Sequence, residues 1–302
     1  MIIIMKKQAP SEAVRQVADF IAERGLRAHI SCGEERTIIG AVGDERVFHP
    51  HELESLPQVE RAIRVLADWR IISRETQSED SVITVRGIRF GGGKVLDIAA
   101  GHTAPSGADA LYTDPFFISN NPYAEQETSS EKTQIRRMRE TLDESHAAGR
   151  PVLVRVRDVR QIAPALQAGA DILYLGGELM GNRTLQNEVG RLNTPVVLCK
   201  DKHHLYNEWL VAAEHIALRG NHQIILGESG TLSFEPDRQY RFDTDSVVRV
   251  RLLSHLPVLA NITRLWHDGM PQEILRRLAV AAGANAIVST IGTAGQQEKP
   301  RP

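Results

Sequence analysis

Apolar residues recur along this chain in two rhythms, and the change from one to the other falls near residue 95. Before it, residues 2–5 form a short β-type run, 11–24 (SEAVRQVADFIAER) space their apolar residues helically, and 27–43 read as two strands around a turn at Gly33. A short helix over 51–56 and a closing strand over 58–68 complete the order βαββαβ, that of a small ferredoxin-like module. The bridge SVITVRGIRFGGGKVLDI alternates apolar residues around Gly87 and stops at GGG, which predicts a hairpin between two domains.

After residue 95 the apolar runs become continuous: VLDIAA, ADALYTD, PVLVRV, DILYLG, PVVLCK, QIILGE, PVLANI and AIVSTI. Helical stretches separate most of them, at 130–148, 161–168, 182–192, 203–219, 243–255 and 272–282. Continuous apolar strands alternating with helices imply a parallel sheet covered on both faces, and eight of them predict a (β/α)₈ TIM-like barrel. Only GHTAPSG separates the first two runs, too little for a helical crossover. The first barrel helix is therefore expected to be missing, and the Gly- and Pro-rich tail after Ile291 is too short for a full eighth helix. The predicted fold is an α/β chain with a regulatory module over 1–75, a linker hairpin over 76–94 and a trimmed barrel over 95–302.

Composition adds limits to this outline. With 302 residues, 42% hydrophobic and 25% charged, and a net charge of −2, nothing marks a nucleic-acid or membrane partner. The opening MIIIM is too short for a signal peptide and runs into Lys6 and Lys7, the reverse of a signal's order. Cys32 and Cys199 form no CxxC pair, so neither a disulfide framework nor a structural zinc site is expected, and a reducing cytoplasm is the expected location. The GGG at 91–93 lacks the Lys-Ser/Thr pair of a phosphate loop and reads as a linker.

The segments AHISCGEERTIIGAVGDE, VERAIRVLADW and IISRE, followed by AGADILYLG, LNTPVVLCK, LVAAEHIALRGN, QIILGESG, SHLPVLA and AVAAGANAIV, resemble type Iβ DAHP synthases (3-deoxy-D-arabino-heptulosonate 7-phosphate synthases) over nearly the whole chain. The resemblance implies an ACT-like front module, a TIM barrel, and a condensation of phosphoenolpyruvate with erythrose 4-phosphate on a divalent metal bound by Cys, His, Glu and Asp. Carried over residue by residue, that chemistry is not matched. AGPC becomes AAGHT, so the Cys ligand falls on Thr103, with His102 beside it. DPSH becomes Asn261 to Arg264, with Arg264 in the His position, and the Glu ligand falls on Thr290. Of the substrate-binding cations, one Arg falls on Glu178, a Lys on Cys199 and another Arg on Ser229, while Glu228 is retained. The family's KPRTSP loop is replaced around TDPFFISNNPY. A carboxylate in place of an arginine repels an anionic ligand.

The polar residues expected at the strand ends are His102, Thr103, Asp114, Glu178, Cys199, Lys200, Glu228 and Arg264, on the rim where this fold builds its sites. Lys200, Glu228, Glu178 and His102 form the candidate catalytic set: Lys200 as an amine for imine formation, a carboxylate as acid or base. The plainer alternative pairs Glu178 with Arg264 and Glu228 with Lys200 in a solvated mouth. The KDKHH run from Lys200 to His204, with His267 and Asp268, lacks a metal-site spacing, and Cys199 after VVL reads as core. His29 and Ser31 are retained from the segment that, by resemblance, lines a regulatory site for an aromatic amino acid; the alternative is an interior strand of the small sheet.

Two functions are compatible with these residues. One is a DAHP synthase-like binding or regulatory homologue in aromatic or shikimate-derived metabolism, a pseudoenzyme without the family's activity. The other is a repurposed, metal-independent aldolase, lyase or dehydratase acting on a carbonyl substrate in the altered cleft. Neither needs a metal or other cofactor. The expected partners are a small-molecule ligand, with an aromatic amino acid as the candidate, and a second chain, either in a homo-oligomer or as an active paralogue.

Overall fold

The computed structural model describes residues 1–32, 37–42, 47–63, 68–117, 123, 131–235 and 240–290. The Gly33 turn, the far end of the 58–68 strand, the later part of TDPFFISNNPY and the tail from Ile291 lie outside the described residues. The chain divides into two compact units, Met1–Asp68 and Trp69–Pro302.

The first unit runs β1 (Ile2–Met5), α1 (Ser11–Glu23), β2 (Arg27–Cys32), β3 (Thr37–Val42), α2 (Pro50–Glu54) and β4 (Val59–Ile63). The expected βαββαβ order is present, and the antiparallel sheet has the ferredoxin-like order β2-β3-β1-β4. Ala13, Val17 and Ile21 line one stripe of α1 and pack with Ile3, Met5, Ile39, Phe48 and Leu53. The HIS strand is at the sheet edge, not its interior. His29 pairs with Gly40 and Ser31 with Ile38, on the face turned away from Ile39 and the helices, and both are exposed.

In the second unit, β5 (Ile83–Val85) and β6 (Ile88–Phe90) form the expected hairpin. Its two turn residues, Arg86 and Gly87, both have positive φ (48° and 81°), the left-handed pair a two-residue hairpin turn requires. Arg86 Nε is held by Asp171 Oδ1 at 2.7 Å. Ile83, Val85 and Phe90 enter the same apolar cluster as Leu96, Ile98, Leu153, Ile172, Ile225 and Ala286, so the hairpin corks the N-terminal end of the barrel.

The barrel follows as β7 (Leu96–Ala100), β8 (Ala110–Thr113), α3 (Glu131–Ala147), β9 (Val152–Val156), α4 (Ile162–Gln167), β10 (Ile172–Leu175), α5 (Arg183–Gly190), β11 (Val196–Cys199), α6 (Tyr206–Ala217), β12 (Ile224–Glu228), a small hairpin β13 (Thr231–Leu232) and β14 (Tyr240–Arg241), α7 (Thr244–Leu253), β15 (Val258–Asn261), α8 (Gln272–Ala282) and β16 (Ala286–Ser289). Its eight parallel strands close, with β16 pairing to β7. As expected, β7 and β8 are joined by 101–109 without a helix. The outer face of β7 and β8 beside this gap exposes little apolar surface. The outward positions of β7 are Asp97, bonded by Arg276 of α8, and Ala99, and outward Leu111 of β8 is fully buried. Among the described residues no helix is long and apolar enough to cross a membrane.

Candidate functional site in the barrel mouth

Strand alternation that is apolar lower in the barrel turns polar at its C-terminal rim. Leu153 of β9 points inward, so Arg155 does too, one step nearer the mouth; likewise Ile172 is followed by Tyr174 and Leu259 by Asn261. These side chains floor a cavity of about 590 Å³ lined also by Tyr112, Asp114, Phe117, Lys202 and Arg264. The rings of Tyr112 and Tyr174 meet edge-on at 4.7 Å. The Tyr174 hydroxyl accepts from Asn261 Nδ2 at 3.0 Å, and Asn261 Oδ1 accepts from the Thr263 hydroxyl at 2.7 Å. Burial pushes the Tyr112 hydroxyl up to about 12.

Two arginines and two carboxylates lock one side of the mouth. Arg155 Nη2 donates to Glu178 Oε1 at 2.5 Å and its Nη1 lies 3.8 Å from Asp114 Oδ2. Arg157 grips Asp114 with two nitrogens, at 3.2 and 2.6 Å. Burial raises the Glu178 carboxyl, but Arg155 and then Arg157 outweigh it and hold it below the usual carboxylate range. The glycines before Glu178 make this possible: a Cβ on Gly176 would overlap the Glu178 carboxylate and the Arg155 guanidinium, and one on Gly177 would overlap the Lys200 carbonyl.

Lys200 is fully buried, yet all three of its ammonium protons have acceptors: the Asp201 carbonyl (3.2 Å), the His204 carbonyl (3.2 Å) and Asp243 Oδ2 (3.1 Å). Asp243 also N-caps α7 through the Ser246 amide. Glu228, at the end of β12, is fully buried on the outward face of that strand, toward the start of α7. Its Oε1 accepts from the Gly230 amide (2.7 Å) and the Asp243 amide (3.0 Å), while Oε2 is buried with no hydrogen-bond partner. Burial lifts this carboxyl to about 7, against the pull of Lys200.

Of the candidate set, His102, Glu178 and Lys200 line the cavity, and Glu228 does not. Neither proposed ion pair forms as expected. Glu178 pairs with Arg155 and Arg157 because β9 projects both arginines to its side of the mouth, and Arg264 instead lies on the Phe117 ring at 5.4 Å. Lys200 pairs with Asp243, the residue that caps the next helix. Thr103 and His102 are exposed on the 101–109 loop. Cys199 is buried with its thiol pushed up to about 12 by burial, consistent with a core residue. Arg155, Arg157 and Asp243 were not singled out from sequence. The first two were readable, since two arginines at alternate positions of the continuous strand PVLVRVRD must face one interior.

Two family profiles match this chain. The DAHP synthase ferredoxin-like domain spans residues 1–67 and the DAHP synthetase I family spans 128–295. The chain belongs to the DAHP synthetase I family. A phospho-2-dehydro-3-deoxyheptonate aldolase from Thermotoga maritima is 31% identical, across 95% of this chain and 88% of the relative. The crystal structure of that organism's phospho-2-dehydro-3-deoxyheptonate aldolase (DAHP synthase) superimposes with a TM-score of 0.66 at 28% identity, covering 95% of this chain and 86% of the other. A truncated form of the 3-deoxy-D-arabino-heptulosonate 7-phosphate synthase from T. maritima gives 0.60 at 26% identity over 74% and 84%.

The metal that this family implies does not fit the side chains present. Where the resemblance places its ligands stand exposed Thr103, Arg264 on an aromatic ring, and Thr290, whose hydroxyl is bonded to Gln272 at 2.8 Å. The mouth's carboxylates Asp114 and Glu178 are committed to arginines, and among the described residues no group of three or more His, Cys, Asp or Glu could hold an ion.

Proposed function

We propose that this member of the DAHP synthetase I family does not run the metal-dependent condensation and acts instead as a binding or regulatory homologue in aromatic or shikimate-derived metabolism. The observation that carries the reading is the Arg155–Glu178–Asp114–Arg157 cluster, which lines one side of the mouth with paired charges and commits its two carboxylates to arginines, while among the described residues no group of metal ligands is assembled. Divalent-metal catalysis needs open coordination positions beside uncommitted carboxylate, imidazole or thiolate donors. Purified protein given phosphoenolpyruvate, erythrose 4-phosphate and manganese is expected to release no phosphate and form no heptulosonate product. Sustained phosphate release above the rate without protein overturns the reading.

One observation favours the metal-independent enzyme as a second reading: Glu228 titrates near neutrality beside Lys200, as an acid-base residue does. For imine chemistry Lys200 would have to lose a proton now held by Asp243 or a carbonyl. That requirement, together with the burial of Glu228 outside the cavity, makes the binding role the better supported of the two.

A further inference from the structure

We propose that Glu228 and Asp243 form a proton-controlled latch at the start of α7, which holds the Lys200 ammonium back from the barrel mouth while Glu228 is neutral and releases it when Glu228 ionises. Lys200 borders the mouth cavity, yet none of its side chain is accessible. Two of its three acceptors, the Asp201 and His204 carbonyls, belong to the segment that follows Lys200 itself. The third, Asp243 Oδ2 at 3.1 Å, arrives from beyond the β13–β14 hairpin. It can therefore be withdrawn without unravelling the segment around the lysine.

Glu228 fixes the residue that covers Lys200. Its Oε1 accepts from the Asp243 amide at 3.0 Å, while the Asp243 carboxylate caps α7 through the Ser246 amide (3.1 Å) and hydroxyl (2.7 Å). The same Oε1 accepts from the Gly230 amide at 2.7 Å, so the proton of the neutral acid belongs on Oε2 and both amide contacts survive protonation. Once that proton leaves, a buried oxygen carries charge with no donor to meet it, beside a second carboxylate. Moving Asp243 outward lets water reach Oε2 and separates the two carboxylates. It also takes Oδ2 off Lys200, leaving an ammonium proton free at the cavity wall.

The surroundings of Glu228 oppose ionisation on balance. Burial and the Asp243 charge raise its carboxyl, the Lys200 charge lowers it, and the Cys199 thiol beside it on β11 stays neutral. On β15 the paired residue is Ala260, and on α6 the buried Glu214 is committed to the Ile71 and Ile72 amides. Arg241 of β14 and Asp245 of α7 are exposed. Closed, the latch keeps its proton to about pH 7, whereas a carboxyl open to water titrates near 4.5. Linkage then makes the opening equilibrium rise about ten-fold from pH 6 to pH 8.

Hydrogen–deuterium exchange of the full chain at those two pH values, corrected for intrinsic exchange rates, reads the opening at the peptides that carry Gly230 and Asp243. An amine-reactive ester reads Lys200, with its labelling expressed relative to exposed Lys6 in the same digest. In the wild type both signals are expected to rise about ten-fold from pH 6 to pH 8. Glu228→Gln keeps an acceptor and cannot ionise, so both should stay flat. Asp243→Asn keeps the helix cap and removes the ion pair, so Lys200 should label readily at both pH values even if the Gln variant fails to fold. Equal exchange at the two pH values in the wild type, the same rise in Glu228→Gln, or wild-type labelling of Lys200 in Asp243→Asn would overturn the proposal. The condensation assay bears on the functional reading alone, since the latch needs no substrate.

Discussion

Glu228 joins two backbone amides that are far apart in sequence. Gly230 and Asp243 stand at the two feet of the β13–β14 hairpin, and one carboxylate oxygen accepts from both while the other is buried without a partner. Because burial raises its pKa from 4.5 to about 7, the folded state holds this proton more tightly than the unfolded chain does. The contribution to stability is therefore fully present below about pH 4.5 and is lost as pH rises through about 7. Glu228→Gln removes the titration and keeps an acceptor for the two amides. The melting temperature of the wild type relative to this variant is expected to fall between pH 5 and pH 8, as thermal unfolding in matched buffers would show; a constant difference would contradict the assigned shift. Sequence pointed to Glu228 as a strand-end carboxylate, and it also pointed to Lys200. Their partners were not legible, since Asp243 reaches Lys200 only through the loop and cap that follow β12.

At the scale of elements, hydrophobic period carried most of the information. The continuous runs became barrel strands and the helical stretches became α3 to α8, α8 over the full expected 272–282 and the others shortened at their ends, where caps such as Asn182 and Asp243 set the first turn. The absence of a helix after β7 was readable from the length of GHTAPSG. Its consequence was not, because the outward residues Asp97 and Ala99 are a paired carboxylate and a small side chain and need little cover. The hairpin was legible as a hairpin, but its burial under the barrel was not, since Ile83, Val85 and Phe90 alternate as an edge strand would. Phe90→Ala should cost about 3–5 kcal/mol, the range for emptying a buried aromatic site, and chemical denaturation of the barrel would measure it. A loss under about 1 kcal/mol would mean that the hairpin does not seal the barrel.

For the molecule as a whole, family membership accounts for both units, and each unit carries its own candidate site. His29 and Ser31 share the exposed sheet face with Ile2, Ile4 and Ile38, an apolar patch bordered by polar side chains, suited to an aromatic ring with a polar end. Tyrosine or phenylalanine is expected to raise the melting temperature at millimolar concentration, by preferential binding to the folded state, and His29→Ala should reduce the effect. No shift with either amino acid would remove the ligand role from this module.

The cork also determines where this protein can be divided. Because the hairpin is encoded upstream of the first barrel strand, a barrel begun at Leu96 would leave Leu96, Ile98, Ile172 and Ala286 facing water through an open base. A cut between Asp68 and Trp69 instead keeps the plug with the ring it closes. Recombination, circular permutation or domain exchange among relatives is thus expected to respect the earlier junction, making the segment from Trp69 to Phe90 an inherited part of the barrel and not a spacer free to vary.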